Sequence, residues 1–141
     1  MTHEEWGYVF NTRNTPSGIR YAKAKVNNIN GVILLPDDWN SSYYNLNSTN
    51  NDGESYSANT ISSSQWATLE QHGAVFLPAA GYRVGTSVSN VGSYGIYWSA
   101  SCYYSGWVGA WYAYFDDSNL HTDDSYYRYY GRSVRLVLSP Q

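Results

Sequence analysis

The clearest alternation in the chain runs from Ala110 to Asp116, A-W-Y-A-Y-F-D. A period of two predicts a strand with Trp111, Ala113 and Phe115 on one face and Tyr112, Tyr114 and Asp116 on the other. If the Trp/Ala/Phe face packs inward, the Tyr/Tyr/Asp face looks outward. The same pattern carries Leu120 inward and Asn119 and His121 outward. The closing run S-V-R-L-V predicts burial of Val134 and Leu136.

Upstream, Thr2-His3-Glu4-Glu5 has the form of a capping box, and Trp6, Val9 and Phe10 follow at helical spacing. Asn14 to Gly18 reads as a loop. Ile19 to Val26 alternates as a strand with Lys23 and Lys25 outward. Asn30-Gly31 is a hairpin signal leading into the buried strand Val32 to Leu35, which Pro36 stops. Residues 37–60 read as an Asn/Ser/Tyr surface loop, low in core formers. A second helix opens at the serines 62–64, buries Trp66 and Leu69, and ends at Gly73. Ala74 to Pro78 is a further short buried strand, followed by a Gly/Ser/Val loop to Gly92. Two short helices, several strands and abundant ordered loop make this an α+β chain, one domain over residues 1–141.

Composition adds a functional direction. The stretch 94–137 holds ten of the 16 tyrosines and three of the 6 tryptophans, set among Ser, Gly, Asn and Asp. That mixture suits recognition, because Tyr gives rigid amphipathic contact while small polar residues adapt their hydrogen bonds. A strand-rich Tyr sheet would show the same bias for propensity alone, but the outward aromatics are dense enough to form a contiguous patch. The net charge of −3 and the scattered Lys/Arg give no electrostatic stripe for nucleic acid. The single Cys102 excludes an intrachain disulfide and a multi-cysteine metal site. No apolar run is long enough to span a membrane, and MTHEEW does not read as a signal peptide.

Several runs together resemble a known family. They are Glu5-Trp6 with Val9 to Arg13, GVILLPDDW (31–39), HGAVFLPAAGYR (72–83), NVGSYGIYWSAS (90–101) and RYYGRSVRLV (128–137). These are similar to the Bacteroides-type proteins of the Fibrobacter succinogenes major paralogous domain group, which resemble the formylglycine-generating-enzyme type of C-type-lectin fold. Some members are variable proteins of diversity-generating retroelements, in which adenines of a template are randomised. The resemblance implies a C-type-lectin-like domain with a variable region at 94–137. It implies a scaffold of Trp98, Ser99, Trp111, Phe115, Arg128, Gly131, Val134 and Arg135. The implied variable, ligand-binding set is Cys102, Tyr103, Tyr104, Tyr112, Tyr114, Asp116, Asn119, His121, Asp124, Tyr126, Tyr127 and Tyr130. Five of these, Tyr112, Tyr114, Asp116, Asn119 and His121, are also sent outward by alternation alone. Family members usually carry a longer portion before the segment matching Glu5-Trp6, so part of the family domain is expected to be missing here. The implied setting is a cell or virion surface, and the implied partner is a protein or glycan on another cell or virus.

Catalytic chemistry finds little support in the residues. Formylglycine-generating enzymes use paired cysteines, whereas Cys102 stands alone, and a Cys102/His121 or Cys102/His72 pair lacks a local signature. Asp116-Asp117-Ser118-Asn119 and Asp123-Asp124 offer hard oxygens for calcium, yet without EF-hand or calcium-lectin spacing they read as solvated acidic loops. No metal and no cofactor is expected. Arg128 and Arg135 are expected to tie loop carbonyls together, and Trp98 and Trp111 to anchor the core. The expectation is a non-enzymatic ligand-binding protein, the alternative being a carbohydrate-binding lectin of fixed specificity.

Overall fold

The computed structural model describes residues 1–104 and 108–138. The architecture is mixed α+β. Helix α1 (His3–Gly7) starts at the predicted capping box: Thr2 Oγ1 accepts from the Glu5 amide, and the Glu5 carboxylate accepts from the Thr2 amide. The chain continues as a π-helical turn, Tyr8–Thr12, which keeps Trp6 and Phe10 on one buried face. Arg13 then does what sequence reasoning assigned to other arginines. Its Nη2 donates to the carbonyls of Arg20 and Leu35, and its Nη1 pairs with Asp37 at 3.0 Å.

Strands β1 (Tyr21–Val26), β2 (Ile29–Leu34), β3 (Thr60–Ile61) and β4 (Val75–Pro78) form one sheet in the order β3-β1-β2-β4. Only the β1–β3 pairing is parallel. Helix α2 (Ser63–Gln71) is capped by Ser62 and Gln65 in a second capping box. A short hairpin, β5 (Tyr82–Val84) with β6 (Ser87–Ser89), forms where a loop was expected. The last sheet is an antiparallel meander of β7 (Gly95–Tyr104), β8 (Val108–Phe115) and β9 (Leu120–Tyr127).

Two apolar clusters lie on opposite faces of the first sheet. One joins α1, Tyr21, Val32 and Leu77 to the inner face of the meander at Tyr97, Ala113, Phe115 and Leu120. The other joins Ala22, Ala24 and Ile33 to Leu69 of α2 and to the loop residues Trp39 and Leu46. Segment 37–60 is therefore not merely surface. It wedges Trp39, Leu46 and Tyr56 into the core, and a 3-10 turn (Tyr56–Ala58) leads it into β3.

Covering both faces of that sheet overturns the expected exposure of Lys23. Its side chain is fully buried, and Nζ donates to the Asp52 carbonyl at 2.6 Å. Burial pulls the ammonium below its ordinary range, while Asp116, Asp117, Asp52 and Glu54 act in the opposite sense. The hairpin turn also moves. Val26 pairs with Ile29, so the two turn residues are Asn27 and Asn28, both at positive φ (49° and 65°). This is the left-handed geometry a two-residue hairpin demands and Asn tolerates. Gly31 lies inside β2 instead, where a Cβ would collide with the Leu77 carbonyl and the Phe76 ring.

The closing segment departs from its pattern too. Val134 and Leu136 are exposed rather than buried, because residues 134–138 extend past the last bridge without joining a named strand. No helix among the described residues is long and apolar enough to cross a membrane.

Candidate binding face

The meander has two unlike faces. Register places Tyr97 beside Ala113 and Gly95 beside Phe115 on the core side. On the other side, Trp98 pairs with Tyr112, which pairs with Asp124; Cys102 pairs with Ala110, which pairs with Tyr126. Extra residues in β7 between 98 and 102 and in β9 between 121 and 124 shift the register without transferring these residues to the core side.

A fourth, minimal edge completes the face. Ser133 bridges Tyr97: the Trp98 amide donates to the Ser133 carbonyl, and the Ser133 amide to that of Ile96. Two residues earlier, Gly131 bridges Arg83 of β5 through a reciprocal amide pair of 2.7 and 2.8 Å. A Cβ at Gly131 would stand 3.1 Å from that of Arg83, so the close approach favours glycine. The two bridges fix Arg132 between them and carry its guanidinium over the sheet.

That guanidinium is the centre of the face. Its carbon lies 3.8 Å from the ring centre of Tyr112, 4.4 Å from Trp98, 5.3 Å from Tyr126 and 5.8 Å from Tyr130. Each distance is within cation–π range. The rings also contact one another edge-on, Trp98 with Tyr112 and Tyr126 with Tyr130. Burial pulls Arg132 below its ordinary range, with Tyr112 acting the other way. Burial raises the Tyr112 hydroxyl, as does Asp124, while Arg132 lowers it. The patch extends to Tyr82 against Tyr130 and to Tyr129, which is 68% exposed.

The predicted variable residues divide around this centre. Tyr112, Tyr126 and Tyr130 are brought together at Arg132, with Asp124 opposite Tyr112 in the register and Cys102 exposed on the same side. Tyr114 lies further along, stacked on His121 and met edge-on by Tyr94. Tyr104 is exposed at the end of β7, 6.0 Å from the Arg128 guanidinium. Tyr103 and Tyr127 pair with Gly109 and so fall on the opposite side, where Tyr103 contacts Trp111. Asp116 and Asn119 build the β8–β9 turn. Asp116 accepts from the amides of Ser118 and Asn119, from Asn119 Nδ2, and from the Tyr114 hydroxyl at 2.6 Å. Residues 105–107 of the 94–137 region lie outside the described residues.

The residues expected as scaffold take different places. Phe115 is buried in the core, and Arg128 Nε donates to the Gly109 carbonyl at 2.8 Å. Among the described residues no hydrogen bond ties Arg135 to a loop carbonyl. It is exposed, and its charge works against the burial that raises the Tyr97 hydroxyl to about 12. Trp98 and Trp111 are half-buried rather than core anchors: Trp98 walls the face, and Trp111 stacks on His3 at 4.3 Å. Arg132 and Trp98 are the contributors to the face that sequence reasoning missed. Nothing in the sequence distinguishes Arg132 from Arg128 and Arg135; only the pair of flanking bridges does.

Other concavities differ in kind. An apolar groove lies between Met1, Val9, Val75 and the terminal Leu136 and Leu138, and a polar one is lined by Asn30, Tyr94, Asp116 and Asp117. Among the described residues, no group of three or more His, Cys, Asp or Glu side chains could hold a metal ion.

A family model described as a domain of unknown function, DUF8237, matches residues 36–137. The chain belongs to this family. The DUF8237 match begins after β2 and runs through β3 to β9, so it takes in the whole meander and the Arg132 bridge. No curated protein and no solved structure matches the chain significantly.

Proposed function

We propose that this protein is a non-enzymatic ligand-binding module with a C-type-lectin-like fold, whose outer meander face is the binding surface. The observation that carries the reading is the ring cluster of Trp98, Tyr112, Tyr126 and Tyr130 around Arg132, on the side of the sheet facing away from the core. Tyr, Trp and Arg are the residue types that dominate binding hot spots. Trp98, Tyr112 and Tyr126 stand on paired strands, and Arg132 is pinned between the bridges at Gly131 and Ser133, which keeps the ordering cost of binding low.

The placement also favours diversification by a retroelement, in the manner of the proteins the sequence resembles. Positions 112, 114, 121, 124 and 126 project from the sheet and 130 lies in the turn after it, so they can change without disturbing Ala113, Phe115 and Leu120 beneath. The partner is then a protein or glycan displayed on another cell or virus, and the protein acts at a cell or virion surface.

Screening against glycan and surface-protein arrays, with sister sequences that differ only at the outward positions, tests the reading. Truncating Tyr112 or Tyr126 to Ala is expected to cost about 2 kcal/mol of binding, as at hot spots generally. Unchanged binding in both variants contradicts it. If all sister sequences share one sugar ligand, the protein is a lectin of fixed specificity.

A further inference from the structure

We infer that the ligand presents a carboxylate to Arg132, which rests on the outer meander face being the binding surface. Among the described residues, no carboxylate lies within ion-pair distance of this guanidinium. Its Nε and Nη1 are sealed from solvent and have no acceptor. The side-on edge of a guanidinium pairs Nε with Nη2, and the end-on edge pairs Nη1 with Nη2. Each fork edge therefore keeps one unmet N–H, whichever way a planar acceptor arrives.

The rings hold the cation but leave its Nε and Nη1 without an acceptor among the described residues. Stacking on Tyr112 and Trp98 fixes the plane of the guanidinium, but an aromatic face is a poor substitute for an oxygen acceptor. Access depends on the outer rings. Tyr126, 5.3 Å from the cation and 39% exposed, is the ring an incoming ligand has to displace from its contacts with Tyr127 and Tyr130. An incoming carboxylate then gains charge-assisted hydrogen bonds to a preorganised donor, with the phenol groups of Tyr126 and Tyr130 beside it. A neutral ligand of the same shape gains only ring contact.

The test is NMR titration of the 15N-labelled full chain with sodium glucuronate and with N-acetylglutamate, each against its neutral counterpart, glucose or N-acetylglutamine. The Arg132 Nε–H resonance is assigned by its loss in Arg132→Gln. The expected result is a saturable shift of that resonance with at least one acid, about tenfold tighter than with its neutral partner. The sugar or the amino acid arm then identifies the source of the carboxylate. Binding is lost in Arg132→Gln and partly kept in Arg132→Lys, whose amide spectrum confirms the fold. Equal binding of acid and neutral partner, no saturable shift with either acid, or undiminished acid binding by Arg132→Gln overturns the inference. Shifts at Tyr112 and Tyr126 with a neutral ligand, Arg132 remaining still, defeat the carboxylate while leaving the binding face intact.

Discussion

The guanidinium carbon of Arg132 stands 3.8 Å from the ring centre of Tyr112, a position the two residues reach from opposite directions. Tyr112 comes from the central strand of the meander, and Arg132 from the bridged segment that crosses its edge. Their contact locks the chain's end onto the outer face of the sheet.

Removing it should loosen both. Arg132→Ala is expected to cost about 1–2 kcal/mol of stability and to flatten the near-ultraviolet circular dichroism of Trp98 and Tyr112. Arg132→Lys should fall between, because an ammonium keeps the charge but not the planar stack. Denaturant melts of the three proteins check the order.

The chain has only two lysines, and they should react differently. Lys25 is partly exposed, whereas Lys23 is sealed with its ammonium on the Asp52 carbonyl. An amine-reactive ester applied to the native protein should modify Lys25 and spare Lys23 until denaturant is added. Peptide mass mapping reads the result directly, and equal labelling of the two would show that the loop over β1 is open.

Gly95 and Phe115 are paired across β7 and β8, and a Cβ at Gly95 would enter the Phe115 ring. Phe115 is 1% exposed and packs in the core cluster beneath the face, so it has little room to retreat. Gly95→Ala should therefore destabilise by about 1–3 kcal/mol through overpacking. A thermal melt tests this.

Asp116 supplies the acid sensitivity of the β8–β9 turn. Burial alone would raise its carboxyl, but hydrogen bonds from Tyr114, Ser118 and Asn119 outweigh it and hold the group below its ordinary value of 3.8. A depressed folded value means stability that is present above the unfolded pKa and lost as pH falls through the folded one. The wild type should thus be more stable than Asp116→Asn at neutral pH, with the gap closing in acid below 3.8. The group is largely open to water, so the gap is small. Denaturation midpoints at paired pH values measure it.

Sequence legibility followed local chemistry. The Thr2–Glu5 capping box, the serine cap of α2 and the inward set Ala113, Phe115 and Leu120 stand where period and cap residues placed them, because each depends on neighbours a few residues away. Lys23 was misread because alternation shows which residues share a face, not what covers that face; here segment 50–56 and the β8–β9 turn do. Asn30-Gly31 carried the stronger turn signal, yet that glycine serves the close approach of Leu77, a contact 46 residues away in sequence. Arg132 was invisible for the same reason: its role is set by bridges to Arg83 and Tyr97.

The most direct test of a diversified binding face lies in the DNA beside the coding sequence. The locus should hold a reverse transcriptase gene and a near-copy of the segment encoding residues 94–137. Mismatches should fall at adenines in the codons of outward positions such as Tyr112, Tyr114, Asp124, Tyr126 and Tyr130, and spare Ala113, Phe115 and Arg132. A locus without such a near-copy, or mismatches falling as often on the core codons as on the face, would contradict the account.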